Sequence, residues 1–258
     1  MTHVRLSREE RWQRILSRLN SEVTVRISSL ALQFGVTTET IRRDIDELTE
    51  QGLVIRTYGG AASKSLTAEP NLIQRREHNV AERIRVAQLA VSLVDPGDVL
   101  MVDSGSSTYQ FARALALRTL ELTVLTNCLP VAQSLGGITG FHVILCPGTF
   151  SETENAVFGQ DTTAFLDRFH ANKAVIGAGG ITEHNVTDAD ASAGWIKKKM
   201  IERSERTILL LNHSKFDNPL FDNVCPITDI CDLVADREPP EALARALGAA
   251  PVRMHIAG

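Results

Sequence analysis

Apolar positions in the first 60 residues recur at helical spacing and then give way to a short run. Trp12, Ile15, Leu16 and Leu19 fall on one stripe, which predicts a helix over residues 8–19. Val23, Thr24 and Val25 read as a short strand. Ser28 stands where it can cap a segment over 29–34 with Leu30, Ala31 and Phe34 as its apolar side, and Gly35 supplies the turn that follows. Thr37 is a second capping hydroxyl, and after it Ile41, Ile45 and Leu48 lie at i, i+4, i+7, a face that packs inward. Gly52 is placed to end this helix in the C′ position, and residues 53–56 read as a strand turning back near Gly59 and Gly60. Helix, short helix, glycine turn, capped helix and wing, in that order, make a winged helix-turn-helix.

The rhythm then changes. Residues 62–71 are small and polar with one proline, the composition of a linker. Residues 75–94 carry Val80, Ile84, Ala87, Leu89, Ala90, Leu93 and Val94 at helical spacing, which predicts one long helix stopped by the turn Asp95-Pro96-Gly97-Asp98. Short apolar runs follow over 99–102, 122–125, 142–146, 173–177, 207–211, 233–235 and 252–256, with helical segments between them. That alternation predicts an α/β domain with a largely parallel, Rossmann-like sheet. The expected organisation is a winged helix over 1–62, a linker over 63–74 and an α/β domain over 75–258.

Composition changes this picture little, with 43% hydrophobic and 22% charged residues in a chain of 258. That is an ordinary globular balance. The absence of an apolar run of about 18 residues or of a leader-like apolar segment near the start predicts a cytoplasmic chain with no membrane partner. Cys128, Cys146, Cys225 and Cys231 show no C-x-x-C spacing, and His142, His170, His184 and His213 fall on separate elements without ligand spacing. Buried free thiols and packing or surface histidines are expected, with neither metal nor cofactor.

Charge alters the reading more. The net charge is −4, but residues 1–64 hold ten Lys and Arg against eight Asp and Glu, and the remainder seventeen against twenty-three. The positive excess of the winged helix is small, so a monomer would bind DNA feebly at physiological salt and a homo-oligomer, dimer or tetramer, is expected. On the outward face of the capped helix, Thr38, Thr40, Arg42 and Arg43 combine short hydrogen-bonding side chains with guanidiniums, which suit base edges and phosphates in a major groove. Arg56 on the wing suits the DNA backbone or minor groove.

In a parallel sheet, ligands sit beyond the carboxyl ends of the strands, so the residues just after each strand are informative. After the first comes Asp103-Ser104-Gly105-Ser106-Ser107-Thr108, leading into a helix. A glycine that admits close approach, three hydroxyls and free N–H groups suit a phosphate; a rich N-cap is the alternative. After the second strand, Asn127 is either a partner for a sugar hydroxyl or the cap of the next helix. Gly177-Ala178-Gly179-Gly180 after the fourth strand serve chain reversal or, at Gly179, the ligand site. Lys215, between Ser214 and Phe216 after a wholly apolar strand, is a cation placed to meet a phosphate or carboxylate. The run Lys197-Lys198-Lys199 could suggest a second nucleic-acid contact, but on a helix with Trp195, Ile196, Met200 and Ile201 facing inward it reads as a solvated face, with room for one lysine to touch the ligand.

The run Val36-Thr37-Thr38-Glu39-Thr40-Ile41-Arg42-Arg43-Asp44-Ile45, with Leu48, Gly52, Leu53, Arg56 and Gly59-Gly60-Ala61, resembles the N-terminal signature of the DeoR family of bacterial transcriptional regulators. The resemblance extends to the loop after the first strand, to Thr126-Asn127 and to the segment 212–216. It implies a repressor of a carbohydrate-catabolism operon, bound to operator DNA and released by a phosphorylated sugar or polyol held by Asp103, Gly105, Ser106, Ser107, Thr108, Asn127, Gly179 and Lys215. Two positions depart from the family pattern: Asn212 stands for an aspartate and Ala193 for a glutamate, with Asp188 and Asp190 nearby as substitutes. The second domain also resembles ribose-5-phosphate isomerase, which keeps a sugar-phosphate isomerase fused to a DNA-binding module as the alternative. Asp103 and Lys215 would then serve as base and enediolate stabiliser.

Overall fold

The computed structural model describes residues 6–22, 24–51, 53–63 and 72–258. It divides into two compact units, Met1–Pro70 and Asn71–Gly258. The first unit contains α1 (Arg8–Glu22), β1 (Thr24–Arg26), α2 (Ile27–Phe34), α3 (Thr38–Glu50), β2 (Val54–Thr57) and β3 (Gly60–Ser63). The strands form an antiparallel sheet in the order β1-β3-β2, with Ala61 between Val25 and Arg56. Ile15 and Leu19 of α1, Leu30 of α2, and Ile41, Ile45 and Leu48 of α3 are fully buried together. Gly35 closes α2 in the left-handed conformation at φ 65°, which glycine adopts without a Cβ penalty. The Thr37 hydroxyl accepts from Thr40 N at 3.2 Å, the expected cap of α3.

One expected cap is corrected. Helix α2 begins at Ile27, with Ser28 inside it and no side-chain cap. The helix thus starts two residues upstream of the expected segment, Ile27 is buried, and its N–H donates to Gly59 O at 2.9 Å. The wing's turn therefore satisfies one of the free N–H donors at the start of α2. Gly52, expected to end α3, and Val23, expected in β1, lie outside the described residues.

In the second unit, β3's successor is α4 (Leu72–Glu77), followed by α5 (Val80–Val91). These replace the single helix expected over 75–94. Asn79 between them is left-handed at φ 50°. The buried Arg83 guanidinium reaches back across the break, donating to Arg75 O at 2.6 Å and to His78 O, so carbonyls freed by the interruption are still satisfied. Helix α4 also begins inside the stretch expected as linker; residues 64–71 are outside those described.

The chain continues through β4 (Val99–Val102), α6 (Ser106–Leu115), β5 (Leu122–Thr126), α7 (Leu129–Leu135), β6 (Phe141–Leu145), β7 (Thr149–Ser151), β8 (Ala156–Phe158) and α8 (Gln160–Leu166). It then runs through β9 (Ala171–Gly177), β10 (Gly180–Ile181), β11 (Asn185–Asp188), α9 (Ala191–Glu202), β12 (Ser204–Leu211), β13 (Asp222–Pro226), β14 (Asp232–Ala235), α10 (Glu241–Ala249) and β15 (Arg253–Ile256). The seven strands expected from apolar runs make one wholly parallel sheet, ordered β6-β5-β4-β9-β12-β14-β15. Alternate residues supply its two faces. Leu100, Val102, Val175, Ile208 and Leu210 pack with α5, α6 and α7, whereas Met101, Ala174, Ile176, Leu209 and Leu211 pack with α8, α9 and α10.

From β4 the order runs outward through β5 to β6 and then returns to β9 on the other side. The adjacent pair β4 and β9 is thus the topological switch point, where a crevice opens beyond the strand ends. Two small sheets were not anticipated: the hairpin β7–β8, and the antiparallel set β10-β11-β13. Their strands are two to five residues long, too short for a legible alternation. Cys128, Cys146 and Cys225 are buried free thiols, and Cys231 is half-buried.

Candidate functional sites

On the first unit, Thr38, Arg42 and Arg43 are exposed along α3, and Thr40 is half-buried with its hydroxyl 2.9 Å from that of Thr37. Glu39 sits among them, 2.9 Å from Arg42 Nη1 and 3.6 Å from Arg43 Nε. Arg56 leans from the wing to Asp46 and lies 3.4 Å from Arg42 O, so it shares the outward side of α3. Tyr58, at the wing's turn, is wholly exposed.

The inward side of the same helix holds a residue that apolar periodicity passes over. Asp44 is buried and accepts from Arg11 Nε at 2.7 Å, Arg11 Nη2 at 2.9 Å and Trp12 Nε1 at 3.2 Å. This forked ion pair locks α1 to α3 and fixes the pitch at which the arginines are presented. Its signal in the sequence is the spacing: Asp44 falls between Ile41 and Leu48 on the apolar face.

On the second unit, the switch point carries a buried ion cluster. Asp103 follows β4 and is 1% exposed; its Oδ1 accepts from Gly177 N, at the end of β9, at 3.2 Å. Lys197 Nζ lies 3.0 Å from Asp103 Oδ2 and 3.2 Å from Asp188 Oδ2, at the end of β11. Asp188 Oδ1 is taken by Ala189 N at 2.8 Å. Lys197 is the one charged donor beside Asp103 Oδ2 among the described residues, and a carboxylate oxygen has two lone pairs, so Oδ2 keeps an acceptor direction to spare. Burial pushes the Asp103 carboxyl above its ordinary range, against the pull of Lys197. Burial also disfavours the charged form of Lys197, but the two carboxylates outweigh it and raise the lysine well above its usual value.

Lys197 corrects the expected solvated face over 197–199. It is 4% exposed, whereas Trp195, expected inward, is 62% exposed. Residues 193, 196, 197 and 200 share one side of α9, and Lys197 rides on it between Ala193 and Met200. The Trp195 ring instead lies outside with Lys198 Nζ 5.5 Å from its centroid.

The other expected site residues gather at the same end of the sheet. Ser106 is the first helical residue of α6, so Ser106, Ser107 and Thr108 form its opening turn rather than a loop before it. Thr108 Oγ1 donates to Gly105 O at 3.1 Å, which leaves that hydroxyl as an acceptor only. Asn127, just after β5, is fully buried. Its Nδ2 donates to Val157 O at 3.0 Å, it does not cap α7, and its Oδ1 has no partner. A Cβ at Gly179 would stand 2.4 Å from Leu220 Cδ1, the end of a flexible side chain, and 3.3 Å from Asp188 Cα, so a side chain there would have to displace both neighbours. Its tightness against the strand bearing Asp188 is a packing requirement.

Lys215 is half-buried in a short 3-10 turn, His213–Lys215, that follows β12. Asn212 starts this turn and accepts from Ser214 N at 3.0 Å and Ser214 Oγ at 2.6 Å. Of the two proposed acidic substitutes, Asp188 belongs to the ion cluster, while Asp190 is exposed and caps α9 through Ser192 N at 2.8 Å. Among the described residues, no cluster of histidine, cysteine and carboxylate is arranged to hold a metal ion, and no helix is long and apolar enough to cross a membrane.

A winged helix with a guanidinium-bearing outer helix, joined in one chain to a parallel-sheet unit with polar groups at its switch point, defines a ligand-sensing transcriptional regulator. Residues 11–67 match the DeoR-like helix-turn-helix domain and residues 78–237 the DeoR C terminal sensor domain. The chain belongs to the DeoR family, and it is a DNA-binding transcriptional regulator. It is similar to the HTH-type transcriptional repressor GlcR of Bacillus subtilis (strain 168), with 32% identity over 91% of this chain and 90% of that one. It is also similar to the glycerol-3-phosphate regulon repressor of Escherichia coli (strain K12), with 28% identity over 94% and 96%. Among solved structures, ribose 5-phosphate isomerase A from Methanocaldococcus jannaschii has a TM-score of 0.42, with 18% identity over 54% of this chain and 56% of that one. That likeness is too distant to carry an activity.

Proposed function

We propose that the protein represses a carbohydrate-catabolism operon and is released from its operator by a phosphorylated sugar or polyol. The observation that carries this reading is the ion cluster at the switch point. Asp103 Oδ2 and Asn127 Oδ1 are buried acceptors with bonding capacity to spare, beside a fixed lysine, and they suit the hydroxyls of a polyol. The opening turn of α6, with Gly105, Ser106, Ser107 and Thr108, suits the phosphate end through its free N–H groups and hydroxyls. Lys215 supplies a cation, and Gly179 keeps the Asp188 strand close. Lys197 and Asp188 join the effector set on the strength of their contacts with Asp103.

Thr38, Thr40, Arg42, Arg43 and Arg56 meet the operator, with α3 in a major groove and the wing beside the backbone. The working form is a homo-oligomer, a dimer or tetramer, because the small positive excess of one winged helix gives one copy little purchase on DNA. The ligand is bound and not turned over. The two carboxylates raise Lys197 above its ordinary range, which suits it to orienting hydroxyls.

Fluorescence anisotropy on labelled DNA from upstream of the protein's own gene, at fixed salt and with a panel of sugar and polyol phosphates, tests this reading. Selective binding that falls with Arg42→Ala, and that one phosphate compound weakens in the wild type but not in Lys215→Ala, is expected. DNA binding that no phosphate compound alters would remove the effector assignment. Conversion of an aldose phosphate to a ketose phosphate, lost in Asp103→Asn, would replace the sensor with an enzyme.

A further inference from the structure

Helix α4 carries two adjacent arginines with opposite circumstances. Arg75 is paired with Glu154, in the turn of the β7–β8 hairpin. Arg76 lies over the Tyr109 ring, its guanidinium carbon 3.9 Å from the centroid, and it pairs with no carboxylate among the described residues. Its Nε and Nη2 are buried and have no hydrogen-bond partner. A guanidinium is more weakly hydrated than an ammonium, but leaving two of its donors buried and idle is costly unless something else meets them.

The surroundings say what that is. Tyr109 belongs to the first turns of α6, whose opening residues present free N–H groups. The thiol of Cys128, next to Asn127, is pushed up to about 11 chiefly by burial, with Asp103 raising and Arg76 lowering it by their charges, so all of these groups share one end of the sheet. At that end the carboxylates Asp103 and Asp188 already hold Lys197 between them, while Arg76 has no carboxylate partner among the described residues.

The geometry points to Arg76 as the residue that grips the anionic group of the effector, forking onto a phosphate that also meets the start of α6. This rests on the proposed phosphorylated effector and adds the group that separates a phosphate ester from its unphosphorylated parent. It also gives the ligand a handle on the junction of the chain. Leu72 N donates to Thr153 O at 3.0 Å, and the same hairpin accepts Asn127 Nδ2 through Val157 O. Helix α4 is the first described element after residues 64–71, which lead from the winged helix. A phosphate on Arg76 and a hydroxyl on Asn127 would therefore bear on α4 from two sides, which is a contiguous route from site to junction.

The test uses the full-length protein. Thermal shift and titration calorimetry at matched ionic strength would be run with inorganic phosphate, a panel of pentose, hexose and glycerol phosphates, and the unphosphorylated parents. The tightest phosphate compound is then measured on Arg76→Gln, Arg76→Lys and Arg113→Gln. Arg113 is the control because it is exposed and lies 5.9 Å from the same ring.

Arg76→Gln is expected to lose about tenfold or more in affinity, the usual scale for a charge-assisted pair. Arg76→Lys should recover part of it, and Arg113→Gln should bind as the wild type does. The operator affinity of Arg76→Gln should persist but no longer respond to the ligand. Equal affinity in the wild type and Arg76→Gln, or an equal loss in Arg113→Gln, overturns the inference alone. A wild type that responds to no phosphate compound overturns the effector class and this inference with it.

Discussion

Arg42 and Arg43 on α3 and Lys197 on α9 are cations on helices of similar length, set in opposite surroundings. The α3 arginines are half or more exposed, and the acid they pair with among the described residues, Glu39, is exposed as well. Water screens these charges, their ion pairs contribute little to folding, and they can be transferred to a phosphate at small cost. Lys197 is shut in with Asp103 and Asp188, where each charge depends on the others. Removing one member leaves an uncompensated ion in a medium that solvates it poorly. The surface proposed to meet DNA is thus energetically separable from the fold, whereas the polar cluster of the second unit is part of what holds that unit together.

The sharpest way to break this contrast is Lys197→Met. We expect a loss of about 3–5 kcal/mol in unfolding free energy, the scale for orphaning a buried ion pair, read by urea denaturation of the full chain. Adding Asp103→Asn and Asp188→Asn should restore part of it. A loss below about 1 kcal/mol would mean the cluster is effectively solvated.

Asp44→Ala tests whether the winged helix has a buried pair of its own behind its exposed face. Arg11 and Trp12 would lose their shared acceptor, and about 2–3 kcal/mol should go from the first unit. Hydrogen exchange in α1 and α3 would report it, and unchanged protection there would refute the locking role.

A smaller effect is expected from acid. Burial disfavours the charged forms of Asp232 and Asp236, but bonds from His255 and Arg206 to the first, and from His213 to the second, prevail and hold both carboxyls below their ordinary range. Their stabilising contribution is full above the unfolded-chain value of about 3.9 and is lost as pH falls below it, through the lower folded values. Denaturation midpoints should fall from pH 5 to pH 3 by less in the double variant Asp232→Asn, Asp236→Asn than in the wild type; parallel curves would remove these groups from the account.

The smallest stability effect belongs to Arg42→Ala, within about 0.5 kcal/mol. Its operator affinity should nevertheless fall, and if the contact is to a phosphate the salt slope should drop by about 1. A large change in stability with intact DNA binding would reverse the comparison.

The same contrast explains what could be read from the chain. Thr37, Ile41, Ile45 and Leu48 announce α3 because a cap and an apolar stripe are local signals, and the seven parallel strands are apolar enough to stand out. The ion cluster is not local. Lys197 looks solvated because it sits in a run of three lysines, and only the partners brought to it from β4 and β11 make its burial tolerable. Its position in step with Ala193, Ile196 and Met200 was the available hint. The interruption at Asn79 was hidden for a similar reason, since the apolar stripe continues across it while Arg83 collects the freed carbonyls from a distance.

The separate sheet β10-β11-β13 has a practical consequence. Strand β11 hydrogen-bonds to β10 and β13, outside the parallel sheet, and delivers Asp188 at its end. Its ladder can therefore be varied without rewriting the parallel scaffold, provided that the buried Ile181, Val186, Asp188, Val224 and Cys225 are kept. Libraries that spare those buried residues within 180–190 and 213–226 would search new metabolites under the proposed reading, while Arg42 and Arg43, proposed to meet the operator, stay unchanged, which would suit the chain to metabolite-responsive gene circuits.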